Sequence, residues 1–314
     1  MSQYSAGNII REYRLKGRVQ QRKLCHGLCT PATLCKIENG DMSPSYKLFE
    51  ALMQRLGAPL SIFDVAIPNS EFERVQIERE IASRLATNNH NILELLTRYE
   101  QIPFAMNKLE KQFYLSCKAG VDSIICDDNH KSQQAFYDAL SLTLSDFTLE
   151  TDLQDLYLTF EEIKCIQAIY TFSSINLCNQ REFNKYISLL NKLKLYLTTH
   201  TIESEMYARS FIDLAIKLSN LYGVTGQFQK ALETAEQGLE CCIKKHKTSG
   251  FYDLLYVKGF TLVLMGNSSA GRRLLRHAIE MTVVLDMKND FDIYKKDIIS
   301  SFGYEFWINL GIII

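Results

Sequence analysis

The sequence predicts an all-α protein, with a small N-terminal helical domain followed by a longer array of paired helices. Three observations favour this fold class. The 314 residues include only 5 prolines and 15 glycines, so residues that interrupt helices are scarce. Apolar residues recur along most of the chain at the spacing of one helix face. A unit of two helices joined by a glycine turn also recurs in the second half of the chain.

The first three helices are predicted from their end signals. We expect a helix over Ala6–Lys16 and two short helices within Val19–Gly40. Gly27 suits the end of the first short helix, because glycine tolerates the positive φ of a C-terminal cap. Thr30 suits the N-cap of the next helix, and Pro31 suits its first position. Two short helices around such a turn are typical of the helix-turn-helix, whose second helix enters a DNA major groove.

Two further helices complete the predicted N-terminal domain. The fourth begins at Ser43 and ends at Gly57, and a short fifth covers Ser61–Ala66. We therefore expect a five-helix DNA-binding domain over residues 1–68 and a helical repeat domain over residues 69–314.

The repeat unit occurs in two clear copies and a weaker one. The copy Leu218–Glu240 has its turn glycine at Gly226. The copy Leu255–Ala278 has the same organisation, with its turn glycine at Gly266. A weaker copy surrounds Phe183. Small residues at matching positions let two antiparallel helices pack closely, as in the tetratricopeptide repeat. Such arrays curve into a concave groove, lined by the first helix of each pair, that suits an extended peptide or a partner helix.

Charge is divided unevenly along the chain, although the net charge is only −1. Residues 1–60 carry nine Lys or Arg against four Asp or Glu, a charge of +5, and the remainder carries −6. A basic N-terminal domain suits a phosphate backbone, whereas the acidic remainder has no electrostatic reason to bind nucleic acid. The candidate DNA contacts lie on the second short helix and before it: Arg18, Gln21, Arg22, Lys23, Pro31, Ala32, Thr33 and Lys36.

These residue types suit particular contacts with DNA. Lys36 suits a guanine edge or a phosphate, Thr33 a hydrogen bond to a base, and Ala32 a thymine methyl group. Gln21 suits a phosphate contact beside helix N-terminal amides, and the basic residues around it suit further backbone contacts. The alternative is that all of them form an ordinary solvated face.

Residues 6–60 resemble the phage-repressor-like (Xre/Cro) helix-turn-helix domain. The resemblance lies in two motifs. Gln21-x-x-Leu24 begins the first short helix, and Ile37-Glu38-Asn39-Gly40 ends the second. It implies a five-helix fold like that of lambda repressor.

The same resemblance implies roles for individual residues. Arg14 of the first helix is expected to form a structural ion pair with Glu38. The base-reading positions map to Pro31, Ala32 and Lys36. Because proline donates no hydrogen bond, readout at Pro31 would depend on shape.

The turn variant Gly27-Leu28-Cys29-Thr30, followed by helical repeats, is similar to the Rgg, PlcR and related (RRNPP) quorum-sensing regulators of Gram-positive bacteria. This resemblance implies a right-handed, tetratricopeptide-like α-solenoid that binds a short signalling peptide in its concave groove. Asparagines of the inner helices often hold the peptide backbone in that family. The residues expected to face the groove are Thr171, Asn179, Asp213, Ile216, Asn220, Tyr256 and Phe260. Each of these residue types is also common on ordinary surfaces and in packing.

No pattern in the sequence predicts a metal site, a cofactor or catalysis. Cys25, His26, Cys29 and Cys35 cluster near the turn, but they lack C-x-x-C spacing, and buried cysteines are common in packing. There is no glycine-rich phosphate loop, and the six histidines are scattered along the chain without a pattern that pairs one with a nucleophile. Nine cysteines without regular spacing, the lack of a secretory signal and the lack of a long apolar run predict a cytoplasmic protein that does not span a membrane.

These observations together predict a transcription regulator, not an enzyme, that binds double-stranded DNA and is controlled by a short signalling peptide. We expect a homodimer, because one small helix-turn-helix domain binds DNA weakly and two-fold symmetry matches paired half-sites. Two alternatives stay open. One is an interaction scaffold whose groove grips a partner protein. The other is a phage or mobile-element repressor whose repeats only dimerise.

Overall fold

The computed structural model describes residues 5–58, 69–86, 92–103, 105–126, 129–171, 180–199, 205–248 and 250–312. All regular secondary structure within these ranges is helical, which confirms the predicted fold class. The chain divides into two compact units, Met1–Ser204 and Glu205–Ile314. The domain boundary after residue 68 stays a prediction, because residues 59–68, with the predicted fifth helix, lie outside the described ranges.

The N-terminal helices are α1 (Ala6–Lys16), α2 (Gln21–Cys25), α3 (Pro31–Asn39) and α4 (Tyr46–Arg55). The end signals read from the sequence are present in the structure. Thr30 Oγ1 accepts a hydrogen bond from the amide of Thr33 at 3.1 Å, which caps α3. Gly27 and Gly40 have φ angles of +70° and +83°, and glycine adopts this conformation without strain.

The start of α4 differs from the prediction. The helix begins at Tyr46 rather than near Ser43, because Ser45 is the N-cap and its hydroxyl accepts from the amide of Leu48. The core of these four helices consists of side chains that are at most 2% exposed: Ile10, Leu24, Cys25, Leu34, Ile37, Phe49, Leu52 and Met53.

Six further helices complete the first unit: α5 (Asn69–Ala86), α6 (Ile92–Gln101), α7 (Lys108–Cys126), α8 (Asn129–Ser141), α9 (Phe160–Thr171) and α10 (Gln180–Thr199). They pack mainly against their neighbours in sequence, as paired-helix repeats do. Ile81, Leu95 and Tyr99 lie in the core between α5, α6 and α7.

The second unit contains α11 (Glu205–Val224), α12 (Phe228–Lys244), α13 (Phe251–Leu264), α14 (Ser268–Val284), α15 (Lys288–Phe302) and α16 (Tyr304–Ile308). Its turns are regular. Positive φ angles occur at intervals of 20 residues, at Gly226, His246, Gly266 and Asp286. After each of them an amide bonds back to the helix end, as in Gln227 N to the carbonyl of Tyr222 at 2.8 Å. One helix pair therefore takes 40 residues, which is longer than the roughly 34 of the standard repeat.

Two glycines let α13 and α14 approach closely. A Cβ atom on Gly259 would lie 2.9 Å from the amide nitrogen of Leu275, and one on Gly271 would lie 2.7 Å from the carbonyl oxygen of Gly259. Larger side chains would push the two helices apart.

Candidate functional site

Helix α3 has one buried face and one open face. Leu34 and Ile37 are at most 1% exposed in the core. The opposite side is exposed over Pro31, Ala32, Cys35, Lys36 and Asn39. This is the face that a helix-turn-helix presents to a major groove. Cys35 and Asn39 were missed in the sequence analysis, although their spacing from Ala32 places them on the same helix face.

The remaining predicted DNA contacts are placed in two different ways. The side chains of Arg18 and Arg22 are exposed, as is that of Lys36. Thr33 and Gln21 are engaged within the domain instead. The Thr33 hydroxyl lies 2.9 Å from Thr30 Oγ1, and Gln21 Nε2 donates to Glu38 at 2.8 Å.

A buried polar network joins α1, α2 and α3. Arg14 donates to both carboxylate oxygens of Glu38, at 2.6 and 2.7 Å, and also to the carbonyl oxygen of Val19 at 3.1 Å. Burial alone would raise the pKa of Glu38. Hydrogen bonds from Arg14 and Gln21 outweigh burial and hold that pKa below its ordinary value. This network fixes the angle between the helices and gives Glu38 a structural role.

Cys25 and Cys29, near the turn, serve as packing residues. Cys25 is 1% exposed, and burial raises the pKa of its thiol. Burial likewise raises the pKa of Cys29 to about 11, so both thiols are protonated at neutral pH. Within the described ranges, no cluster of three or more His, Cys, Asp or Glu side chains is arranged to hold a metal ion.

The turn between α2 and α3 packs against the repeat helices of the same unit. A Cβ atom on Gly27 would lie 1.8 Å from the carbonyl oxygen of Thr143, which follows α8. Lys108 Nζ, at the start of α7, donates to the carbonyl oxygen of Gly27 at 2.7 Å. Lys23 and Asp155 add an exposed ion pair at 3.2 Å. The helix-turn-helix is therefore held against α7, α8 and the segment that follows α8.

A buried ion pair strengthens this attachment. Arg55 at the end of α4 donates to Glu162 of α9 at 2.8 Å, and the two side chains are 1% and 0% exposed. Arg55 also donates to the carbonyl oxygens of Leu24 and His26, at 2.9 and 2.5 Å. Glu162 in turn accepts from the amide of Thr159 at 2.6 Å. One guanidinium thus connects the end of α2 to α9.

Lys47 of α4 makes a second charged contact with the repeats. Its Nζ lies 2.5 Å from Glu78 of α5 and 3.2 Å from Glu50. Burial would lower the pKa of Lys47, but these two carboxylates raise it above its ordinary value. The lysine therefore remains charged inside the unit.

The second unit contains an open cavity of about 500 Å³ between α11, α13 and α15, the first helices of consecutive pairs. Four of the residues predicted to face the groove line it, namely Ile216, Asn220, Tyr256 and Phe260. Asp213 lies on α11 one turn before Ile216. A site between neighbouring first helices is the place where a repeat array offers a concave surface.

Of the other three predicted groove residues, Asp213 and Thr171 do not line this cavity. Thr171 belongs to the first unit, where its hydroxyl donates to the carbonyl oxygen of Gln167 at 3.0 Å. Asn179 lies outside the described residues.

Two tyrosine–aspartate hydrogen bonds among the lining residues of the cavity join α13 to α15. Tyr256 OH donates to Asp297 at 2.6 Å, and Tyr294 OH donates to Asp253 in the opposite direction. The rings of Tyr256 and Tyr294 stack with their centroids 3.9 Å apart. Burial raises the pKa of both tyrosines, and the carboxylates raise it further. Both phenols are therefore neutral donors, and α13 and α15 are tied together.

Ser219 of α11 lines the same cavity, and its hydroxyl has no hydrogen-bond partner among the described residues. Its side chain is 0% exposed, and no hydrogen-bonding atom of the described residues reaches its Oγ. A buried hydroxyl without a partner is costly and rare in native proteins.

The described helices define a helix-turn-helix domain joined to paired-helix repeats, and a solved structure is similar to this chain in fold. PlcR of Bacillus thuringiensis, solved in complex with the peptide PapR7 and DNA, matches with a TM-score of 0.59 at 12% identity over 93% of this chain and 99% of that chain. This match confirms the resemblance to peptide-sensing regulators at the level of fold.

Two other structures match with lower scores. The competence regulator ComR of Streptococcus vestibularis, in its apo form, matches with a TM-score of 0.49 at 14% identity, over 94% of this chain and 97% of that chain. The SHP pheromone receptor Rgg2 of Streptococcus dysgalactiae matches with a TM-score of 0.47 at 16% identity, over 93% and 98%. No protein-family model matches the sequence, and neither does any curated protein sequence.

Among the described helices, none is both long and apolar enough to cross a membrane.

Proposed function

We propose that the chain is a DNA-binding transcription regulator controlled by a short peptide that binds between α11, α13 and α15. The observation that carries this proposal is the occurrence of two separate features in one chain. One is the open face of α3. The other is a cavity between the first helices of consecutive pairs, lined by a buried hydroxyl that has no partner among the described residues. PlcR, with the same fold, was solved with both a peptide and DNA.

On the DNA side, we assign base contacts to the exposed residues of α3. Lys36 and Asn39 offer donors to base edges, and Ala32 offers a methyl group. Arg18 and Arg22 supply phosphate contacts. Gln21 and Thr33 orient the helix instead, since their side chains are engaged with Glu38 and Thr30. Pro31 begins α3 and contributes shape alone.

On the peptide side, bound ligand would join three helices whose own contacts run mainly between neighbours. A peptide that prefers one spacing of α11, α13 and α15 shifts the population toward that spacing. In a homodimer, such a shift changes the distance between two DNA-binding domains and so their match to paired half-sites. The peptide, the DNA and a second copy of the chain are the partners in this proposal, and no cofactor is needed.

The DNA half is tested by selection from a pool of random double-stranded DNA with the full chain. We expect enrichment of a two-fold symmetric sequence. Lys36→Ala should weaken binding to that sequence by about tenfold, the cost of one base contact, and relax specificity at the base pair that it reads. Lys16→Ala removes the same charge from an exposed site on α1 and is the matched control. Failure to enrich any sequence, or equal effects of the two variants, would contradict the assignment of α3.

A further inference from the structure

The charges that line the cavity between α11, α13 and α15 are all negative. Among the described residues that line the cavity, Asp253 and Asp297 carry charge. The same lining residues include no Lys, Arg or His. An opening with low-polarity walls and charges of one sign attracts ligands of the opposite sign.

Neither carboxylate is neutralised by the protein. Asp253 and Asp297 accept hydrogen bonds from Tyr294 and Tyr256, but a phenol is a neutral donor and leaves the negative charge in place. Within the described ranges, neither one forms an ion pair with a basic side chain. Each carboxylate has further lone pairs, so it can accept from a ligand without losing its tyrosine.

The remaining lining adds a polar anchor and apolar walls. Ser219 has a buried hydroxyl without a partner among the described residues, which points to a hydrogen-bonding group supplied by a ligand. Ile216, Phe260, Leu264 and Ile293 supply apolar surface, and Ile293 is 60% exposed. An apolar ligand with one cationic group would match all three kinds of lining residue.

We propose that the ligand of this cavity carries an ammonium or guanidinium group that pairs with Asp253 and Asp297, while Ser219 hydrogen-bonds a polar main-chain atom of the same ligand. This inference rests on the proposed function, since it specifies which class of peptide the groove selects. The cation is either the peptide N-terminus or a Lys or Arg side chain, and acidic peptides are rejected by charge repulsion.

The test uses the full chain and a pool of short synthetic peptides with amidated C-termini. The peptides consist of Leu, Ile, Val, Phe and Gly, with one variable position that is Lys, Gln or Glu. Each is made with a free and with an acetylated N-terminus. Peptides retained after gel filtration are quantified by mass spectrometry. We expect cationic members to be retained about tenfold more than neutral ones, and acidic members least. Dependence on the Lys position assigns the cation to a side chain, and dependence on the free N-terminus assigns it to the amine.

Two variants test direct pairing. Asp253→Asn and Asp297→Asn each keep a carbonyl oxygen for their tyrosine, and each should reduce the cation preference to about twofold or less. If one of them loses helicity, the other still tests the inference. Asp290→Asn is the matched control, because Asp290 accepts from Tyr252 at 2.9 Å but does not line the cavity. It should keep the preference.

The outcomes separate the two proposals. Equal retention of cationic and neutral peptides overturns the inference and leaves peptide binding standing. Retention of no peptide overturns both the inference and the peptide half of the proposed function. Loss of the preference in the Asp290→Asn variant overturns direct pairing with Asp253 and Asp297. Ser219→Ala should lower retention of all peptides alike, and an unchanged retention overturns its role.

Discussion

The ion pair between Arg55 and Glu162 gives a quantitative test of how the helix-turn-helix is held. Arg55→Ala removes three charged hydrogen bonds at once: those to Glu162 and to the carbonyl oxygens of Leu24 and His26, at 2.8, 2.9 and 2.5 Å. It also leaves the carboxylate of Glu162, which is 0% exposed, without a cation. An unpaired charge at such a position is among the most destabilising consequences of a single substitution.

The expected magnitude follows from burial. Breaking a buried ion pair from one side costs about 3–5 kcal/mol, and here the remaining carboxylate still accepts from the amide of Thr159. We therefore expect Arg55→Ala to lower the free energy of unfolding by about 4 kcal/mol, a large part of the roughly 5–15 kcal/mol of a typical domain. Replacing both partners, as in Arg55→Met with Glu162→Met, should recover part of the loss, because no buried charge is left while the carbonyl oxygens of Leu24 and His26 still lack their donor.

Urea unfolding followed by far-UV circular dichroism measures the difference. Lys23→Ala is the matched control, since Lys23 and Asp155 join the same parts of the chain but are 47% and 86% exposed. An exposed pair of this kind contributes at most about 1 kcal/mol. A loss below about 1 kcal/mol for Arg55→Ala, or similar losses for both single variants, would refute the argument from burial.

Three further substitutions test other parts of the structure in the same urea assay. Gly27→Ala should lower the free energy of unfolding by more than about 2 kcal/mol, because the new Cβ would lie 1.8 Å from a carbonyl oxygen. Gly40 has a similar φ, but a Cβ there would have nothing within 4 Å, so Gly40→Ala should cost only about 1 kcal/mol. Glu38→Gln should cost about 2 kcal/mol at pH 7. Because the folded pKa of Glu38 is lowered, its contribution is complete above the ordinary value of 4.5 and is lost as the pH falls through the folded pKa, so wild type and variant should converge in acid. Gly259→Ala should lower the free energy of unfolding by about 1–3 kcal/mol. A Cβ atom added at Gly120 would have nothing within 4 Å, so Gly120→Ala should be neutral or stabilising. Equal losses within either glycine pair, or a pH-independent difference for Glu38→Gln, would contradict these expectations.

The local structure of the N-terminal helices was predictable because its signals are local. Thr30 caps α3 with an atom three residues from the amide it binds, and Gly27 and Gly40 adopt the positive φ that few other residues tolerate. The turn glycines of the repeats were found for the same reason. His246 and Asp286 occupy the equivalent turn position with positive φ, and residues of these types give a weaker signal than glycine.

The attachment of the helix-turn-helix to the repeats was not predictable from such signals. Arg55 and Glu162 are 107 residues apart in the sequence, and nothing near either residue indicates a buried partner. Gly27 was chosen for its φ, yet its close contact with Thr143 imposes a second requirement for glycine at the same position. Contacts of this kind follow from how helices pack, which a single sequence does not specify.

Four of the seven residues that the sequence predicts to face a groove line the cavity of the second unit. Ile216, Asn220, Tyr256 and Phe260 were found because helical spacing identifies the inner face of a repeat. The aspartates were missed, although a signal exists. Asp253 and Tyr294 are 41 residues apart, and so are Tyr256 and Asp297. A reciprocal pattern at nearly one 40-residue repeat predicts tyrosine–aspartate bonds between successive first helices.

The carboxylates of the two units differ in their partners, and this difference separates structural charges from charges available to a ligand. Glu38 and Glu162 are buried and each is paired with an arginine, so their charge is cancelled within the fold. Asp253 and Asp297 are held by neutral phenols, which fix the position of the carboxylate but leave its charge uncompensated. Asp253 is partly buried, and a partly buried charge without a basic partner costs stability. Because an amide side chain would still accept from Tyr294 at lower cost, we infer that the charge of Asp253 is retained for what the cavity binds.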